Sequence, residues 1–217
     1  MKSFRIIGDI HQNEIAYLNL VKDCEYSLQL GDMGFNYEFL NGLDPNKHKF
    51  VGGNHDNYDE YYNSPYALGD YGKVPFIPNS FFLRGGFSID VAYRTRKISW
   101  WENEQLSENE LEKAYEVYCN IKPKYLFAHE CPLSLVHLIT DGRVAKAFGF
   151  PEIVETRTNI MLDKMIKFHR PEMFFHGHYH RDFDKVIDGT RFVCLTSDNN
   201  KFAKQTYFNL EIESENN

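Results

Sequence analysis

The chain opens with an apolar run, "FRII", that stops at Gly8 and gives way to a polar stretch. After it comes "EIAYLNLVKD", in which Ile15, Leu18 and Val21 recur at helical spacing. This predicts a strand followed by a helix. Further apolar runs, "YSLQL", "KFVGG", "YLFAH" and "EMFFHG", each stop at a glycine or a polar residue, and most lead into loop or helix patterns. Two helices stand out: Ser107 to Tyr118, opened by a capping box of Ser107 and Glu110, and roughly Val154 to Phe168. "FFLRGGFSIDVAY", "KVIDGTRFVCLTS" and "QTYFNLEI" read as hairpin strands, with Asp188-Gly189 a two-residue turn. The order is βα units, a β-rich middle, further βα units and terminal antiparallel strands. It predicts an α/β fold of the α+β type, with mixed sheets packed as a sandwich and flanked by helices.

Length and composition narrow this. At 217 residues, 42% of them hydrophobic, residues 1–217 suit a single domain with a sizeable core, and no repeat, low-complexity segment or linker divides them. Thirty-one acidic against twenty-four basic residues give a net charge of -7. No Lys/Arg run marks a nucleic-acid stripe or an anionic-membrane patch. Any polyanionic substrate must therefore be attracted locally. Charges at Arg5 and Asp9 break up the N-terminal apolar run, so it lacks the pattern of a signal peptide. No later segment is long enough to span a bilayer, and a cytoplasmic location is expected. Cys24, Cys119, Cys131 and Cys194 are scattered without zinc-site spacing and read as reduced thiols.

The chemistry sits where the apolar runs end. Five motifs stand there: "GDIHQ" from Gly8, "GDMG" from Gly31, "GGNHDN" from Gly52, "AHECP" from Ala128 and "GHYH" from Gly177. Strand ends of α/β sheets gather ligands into one crevice. In an extended segment, positions i and i+2 point the same way, so Asp9 with His11, and His178 with His180, can each aim two groups at one cavity. By the same parity His176 can point there too. With Asp32, Asn54 and His129 these make seven oxygen or imidazole donors. One ion does not need seven; two ions about 3.5–4 Å apart and sharing a bridging carboxylate do, an arrangement suited to in-line attack at phosphorus. Asp, His and Asn donors without thiolate suit Mn, Fe, Zn or Ni better than an all-oxygen Mg or Ca site. Two divalent ions against Asp9, Asp32 and one hydroxide leave the site positive inside an acidic protein.

In this order the motifs resemble the signature of the calcineurin-like metallophosphoesterases: D-x-H, G-D, G-N-H-D, a lone His and G-H-x-H. The likeness spans Gly8 to His180. It implies a four-layer αββα sandwich of two mixed sheets, and two divalent metal ions, with Mn the foremost expectation. The first ion is then held by Asp9, His11, Asp32 and His180, and the second by Asp32, Asn54, His129 and His178. The family's chemistry is attack of a metal-bridging hydroxide on phosphorus. His55 is implied to contact the phosphate and protonate the leaving oxygen, with Asp56 orienting it and Asn54 also touching substrate. On this assignment His176 is a packed strand-end residue. The family's frequent G-D-x-x-D pattern is not kept, since Phe35 stands where the second acid would be. The arginine that follows this motif in Ser/Thr protein phosphatases is also missing. Arg94, or failing it Arg84 or Arg96, is the candidate phosphate clamp.

The expected substrates are a phosphorylated small molecule, a nucleotide or a phosphoprotein. Acidity argues against long duplex nucleic acid. A phosphodiesterase, cyclic-nucleotide or nuclease-type activity is the alternative to a monoesterase. A non-catalytic protein-binding scaffold and a mononuclear zinc site built from the last three histidines stand further off. Tyr58, Tyr61, Tyr62 and Tyr66 offer a stacking platform or, more simply, a packed loop. Trp100 and Trp101 read as core or loop anchors, and His48, His137 and His169 have no partner motif.

Overall fold

The structure, a computed structural model, describes residues 1–197 and 205–213. Its elements follow in chain order as β1 (Lys2–Ile7), α1 (Glu14–Val21), β2 (Ser27–Gln29), β3 (His48–Phe50), α2 (Tyr58–Tyr61), β4 (Tyr71–Gly72), β5 (Ser80–Leu83) and α3 (Glu108–Ile121). They continue as β6 (Tyr125–Ala128), α4 (Leu133–Ile139), α5 (Arg143–Ala147), α6 (Arg157–Phe168), β7 (Met173–His176), β8 (Phe183–Ile187), β9 (Thr190–Cys194) and β10 (Tyr207–Ile212). One sheet runs β10-β1-β2-β3 and the other β4-β5-β6-β7-β9-β8. In each, the central strands are parallel: β1 with β2 and β3, and β5 with β6 and β7.

Strand alternation builds the layers. Phe4, Ile6 and Leu28 of the first sheet meet Phe82, Phe127, Phe175 and Val193 of the second in a core between the sheets. The intervening residues Phe81, Leu126, Phe174 and Phe192 face away, onto α3, α4 and α6 through Leu111, Tyr118, Val136, Leu162 and Met165. On the far side of the first sheet, Ile7 and Phe50 pack with Tyr17 of α1 and Tyr58 and Tyr61 of α2. Helices, sheet, sheet, helices is the four-layer sandwich expected.

Helix α3 begins with the expected capping box of Ser107 and Glu110. Helix α6 starts at Arg157 instead of near Val154, because Thr156 and Asn159 form a second capping box there. The β8–β9 turn holds Asp188 and Gly189 at φ 48° and 86°, the pair of left-handed residues a two-residue hairpin needs.

Three expectations are corrected. In α1, Ile15 and Leu18 are exposed, and Tyr17 with Val21 forms the buried face, since the outer sheet surface is filled by tyrosine rings. The "FFLRGGFSIDVAY" hairpin does not form: β5 stops at Leu83, and Gly85, at φ 105°, turns the chain out of the sheet into a long loop. Strand β10 crosses to the other sheet and pairs antiparallel with β1 instead of making a hairpin with β9. Among the described residues no helix is long and apolar enough to cross a membrane, and the four cysteines are free thiols.

Candidate metal centre

The five motifs lie just past the carboxyl ends of β1, β2, β3, β6 and β7, three from one sheet and two from the other, so they meet at one edge of the sandwich. Asp9, His11, Asp32 and His180 place one donor atom each within 4.8 Å of one another, a group able to hold a metal ion. His180 Nε2 lies 2.8 Å from Asp9 Oδ2 and 2.9 Å from His11 Nε2. His11 Nε2 is in turn 3.6 Å from Asp32 Oδ2.

The other oxygen of Asp32 faces a second group. His129 Nε2 is 3.2 Å from Asp32 Oδ1, 3.0 Å from Asn54 Oδ1 and 3.2 Å from His178 Nδ1. His129 Nδ1 meets the Leu30 carbonyl at 2.8 Å, so its proton is committed there and Nε2 points a lone pair inward. With Nδ1 as the donor, Nε2 of the neutral ring faces the Asp32 and Asn54 oxygens at hydrogen-bond distance, an arrangement that a cation between them would satisfy.

The electrostatics agree. Burial raises the Asp32 carboxyl, but His129, His55, His11 and His178 outweigh it and hold it well below the usual carboxylate range. Burial, then His129, pushes His178 down to about 3, the neutral form that binds metal. Burial also lowers His129, yet Asp32 and Asp9 overcome it and draw positive charge onto the ring. A divalent ion supplies that charge in the proton's place. The residues fit the metals the motifs imply.

The parity reasoning is corrected, although the residues converge. His11, Asp32, His178 and His180 all adopt positive φ, at 48°, 60°, 67° and 50°, so left-handed turns aim these side chains, not extended alternation. Such backbone costs about 1–3 kcal/mol per residue and concentrates at functional sites. Crowding explains two of the glycines: a Cβ on Gly177 would stand 2.1 Å from Asp9 Oδ1, and one on Gly53 2.3 Å from Asp32 Oδ1. His176 lies outside the cluster, buried at the end of β7, with Nδ1 on the Gly177 carbonyl and no partner for Nε2 among the described residues.

His55 sits beside the cluster, its ring edge against His11, and burial together with Arg94, against the pull of Asp32, lowers it to about 4. Its Nε2 contacts Arg94 Nη2, while Arg94 Nη1 donates to the Asn54 carbonyl at 2.9 Å and Nη2 pairs with Asp90 at 2.6 Å. Of the three candidate arginines, only Arg94 reaches the site. Arg84 is buried in a pair with Asp70, and Arg96 pairs with Glu102 at the surface.

The Asp56 carboxylate accepts from the backbone N–H groups of Asp32, Gly53 and Gly34, at 2.9, 2.7 and 3.3 Å, and from the Tyr37 hydroxyl at 3.1 Å. It ties the Gly31 and Gly52 loops together. Gln29 acts similarly on the Gly8 and Gly31 carbonyls. Sequence reasoning passed over Gln29, although a lone buried amide in the apolar run "YSLQL" was a signal. It also missed Ser88, whose Oγ accepts from Asn54 Nδ2, and Glu104, which accepts from Ser88; no local pattern marks either. The tyrosines pack: Tyr58, Tyr61 and Tyr66 are buried, and the Tyr58 hydroxyl donates to the Gly53 carbonyl. Trp101 is buried in the outer core with them.

Residues 2–182 match the family model for calcineurin-like phosphoesterases. The chain belongs to this family. It is therefore a hydrolase of phosphate esters, in a class of dinuclear metal enzymes. One solved structure agrees in fold. A phosphopantetheinyl hydrolase from Mycobacterium tuberculosis is similar at TM-score 0.50 and 14% identity, covering 96% of this chain and 95% of that one. A predicted phosphoesterase from Streptococcus pneumoniae is similar at 0.43 and 11%, covering 98% and 83%. A putative 5'-nucleotidase from Staphylococcus aureus gives 0.45 and 11%, covering 99% of this chain and 55% of its own. At 14% identity the likeness to the phosphopantetheinyl hydrolase is one of fold alone. No curated protein matches the chain.

Proposed function

We propose that this calcineurin-like phosphoesterase is a two-metal phosphomonoesterase. Asp9, His11, Asp32 and His180 hold one ion and Asp32, Asn54, His129 and His178 the other. The observation that carries the reading is the division of one carboxylate: Asp32 turns Oδ2 to His11 and Oδ1 to His129. Oxygen and imidazole donors without thiolate favour Mn, with Fe, Zn and Ni as competitors. When bound, the ions supply a nucleophile from water near neutral pH and positive charge for the phosphate.

The chain's own residues do the rest. Arg94, held by Asp90 and the Asn54 carbonyl, presents its guanidinium to the terminal phosphate oxygens, which is what favours a monoester over a diester. His55 stands within contact of Arg94 and gives the leaving oxygen its proton. That role asks Nε2 to carry a proton, and a substrate phosphate that draws Arg94 to itself releases Nε2 to take one. Asp56 keeps the two ligand loops in register through their backbone N–H groups.

The test compares p-nitrophenyl phosphate with bis-p-nitrophenyl phosphate in the presence of Mn, alongside metal analysis. The expected result is two ions per chain and faster turnover of the monoester. Asp32→Ala should abolish activity, and His55→Ala should cost about a hundredfold or more in kcat. Normal turnover by Asp32→Ala, or a single zinc per chain unaffected by Asp9→Ala, defeats the reading.

A further inference from the structure

A cavity of about 690 Å³ opens directly off the Asp/His cluster and extends well past it. At one end it is lined by His11, Asp32, Asn54, His55, His178 and His180. Beyond them the walls turn apolar: Val136, Ala145, Phe148 and Val154 stand on one side, Phe87 and Ile89 on the other. The volume is that of a site for a whole organic ligand, and a phosphoryl group occupies only its mouth.

Two segments outside the sheets build these walls. The loop after β5 carries Phe87 and Ile89, and the stretch from α4 through α5 carries the rest. Gly142 and Gly149, at φ 69° and 83°, turn the chain at either end of α5. Edge contacts between Phe87 and Phe150 at 5.5 Å and between Tyr93 and Phe148 at 5.7 Å join the two segments.

We infer that the site takes a soluble phosphate ester whose leaving group carries an apolar body, seated between the 85–94 loop and the α4–α5 wall. The inference rests on the phosphoesterase reading above and narrows its substrate class. Apolar walls reward an apolar ligand by roughly fourfold in affinity per buried methylene. They offer a second phosphate little: among the described residues the lining cations are Arg94, which the first phosphate engages, and Arg181, and the Asp90 carboxylate stands beside Arg94. Nucleoside di- and triphosphates are disfavoured accordingly. A net charge of -7 and a sequence without a Lys/Arg run oppose docking on an anionic bilayer, which selects a soluble ester over a membrane lipid.

The experiment titrates the Mn-loaded full-length chain by calorimetry with inorganic phosphate and with methyl-, butyl- and hexylphosphonate, which keep one head group and are not hydrolysed. The dissociation constant should fall by about fourfold per methylene along the series. Hexylphosphonate should also bind more tightly than adenosine 5'-monophosphate. Equal affinities for methyl- and hexylphosphonate, or tighter binding of the nucleotide, overturn the inference. Val144→Asp with Phe148→Asp, at exposed positions that leave the core intact, should flatten the chain-length series; a series as steep as wild type also overturns it. Co-sedimentation of the chain with phosphatidic acid vesicles counts against the soluble ester. If not even inorganic phosphate binds, the phosphoesterase reading has failed, which separates that outcome from a flat series.

Discussion

Glu104 accepts hydrogen bonds from both the backbone N–H and the hydroxyl of Ser88, at 2.8 and 2.6 Å. The Ser88 proton is thereby committed, so Ser88 Oγ can only accept from Asn54 Nδ2, which lies 3.3 Å away. The amide cannot flip, and Asn54 Oδ1 stays turned toward His129.

Ser88→Ala therefore leaves Asn54 free to rotate. The expected outcome is a loss of about tenfold in affinity for one of the two ions, with activity restored at high Mn and little change in Tm. Chelator competition checks it, and Ser88→Thr should retain wild-type affinity. A fall in Tm with unchanged metal affinity would show that Ser88 serves only packing.

The same carboxyl gives a pH signature. Burial, against the hydrogen bonds from Ser88, raises Glu104 from 4.5 to about 7. Between those values the folded protein binds more protons than the unfolded chain, so this group's contribution to stability falls as pH rises through that window and levels off above it. Glu104→Gln removes the fall. Measured across pH 5 to 8, the variant should gain on wild type by at most about 3 kcal/mol. A constant difference over that range would contradict the buried-carboxyl account.

Three arginines should separate cleanly. Arg94→Ala is expected to lower kcat/KM by about a hundredfold, through loss of a donor to the phosphate. Arg96→Ala, which removes a surface pair with Glu102, should change neither activity nor stability by a measurable amount. Arg84→Ala removes a buried guanidinium that donates to Asp70, the Asn103 carbonyl and the Tyr62 hydroxyl, and should cost about 2–3 kcal/mol in stability. Kinetics and thermal melts of the three variants decide this.

The histidines of "HGHYH" should divide by metal content. His178→Ala should retain one ion per chain, because Nδ1 of that ring faces His129, whereas His176→Ala should retain both, because its ring is packed outside the cluster. Elemental analysis of the purified variants is sufficient, and the reverse pattern would refute the assignment.

What the sequence determined by itself was local and periodic. The runs "FRII", "YSLQL", "KFVGG", "YLFAH" and "EMFFHG" each became a strand, because alternation and a stop signal are written within a few residues, and the candidate metal-binding residues followed at the ends. Capping boxes and the Asp188-Gly189 turn were legible for the same reason. Tertiary structure decided what depends on distant partners. It chose Tyr17 over Ile15 for the buried face of α1, since the tyrosine rings on the sheet it packs against come from other segments. It carried β10 to the edge of β1, and it turned the chain at Gly85 so that Ser88 and Arg94 reach Asn54 and His55. Asp56 lies next to His55 in the chain, yet in space it binds the backbone of two loops. Neighbouring residues specify φ, ψ and caps; which side chains share a cavity is set by the packing of two sheets, one built from residues 2–50 and 207–212 and the other from residues 71–194.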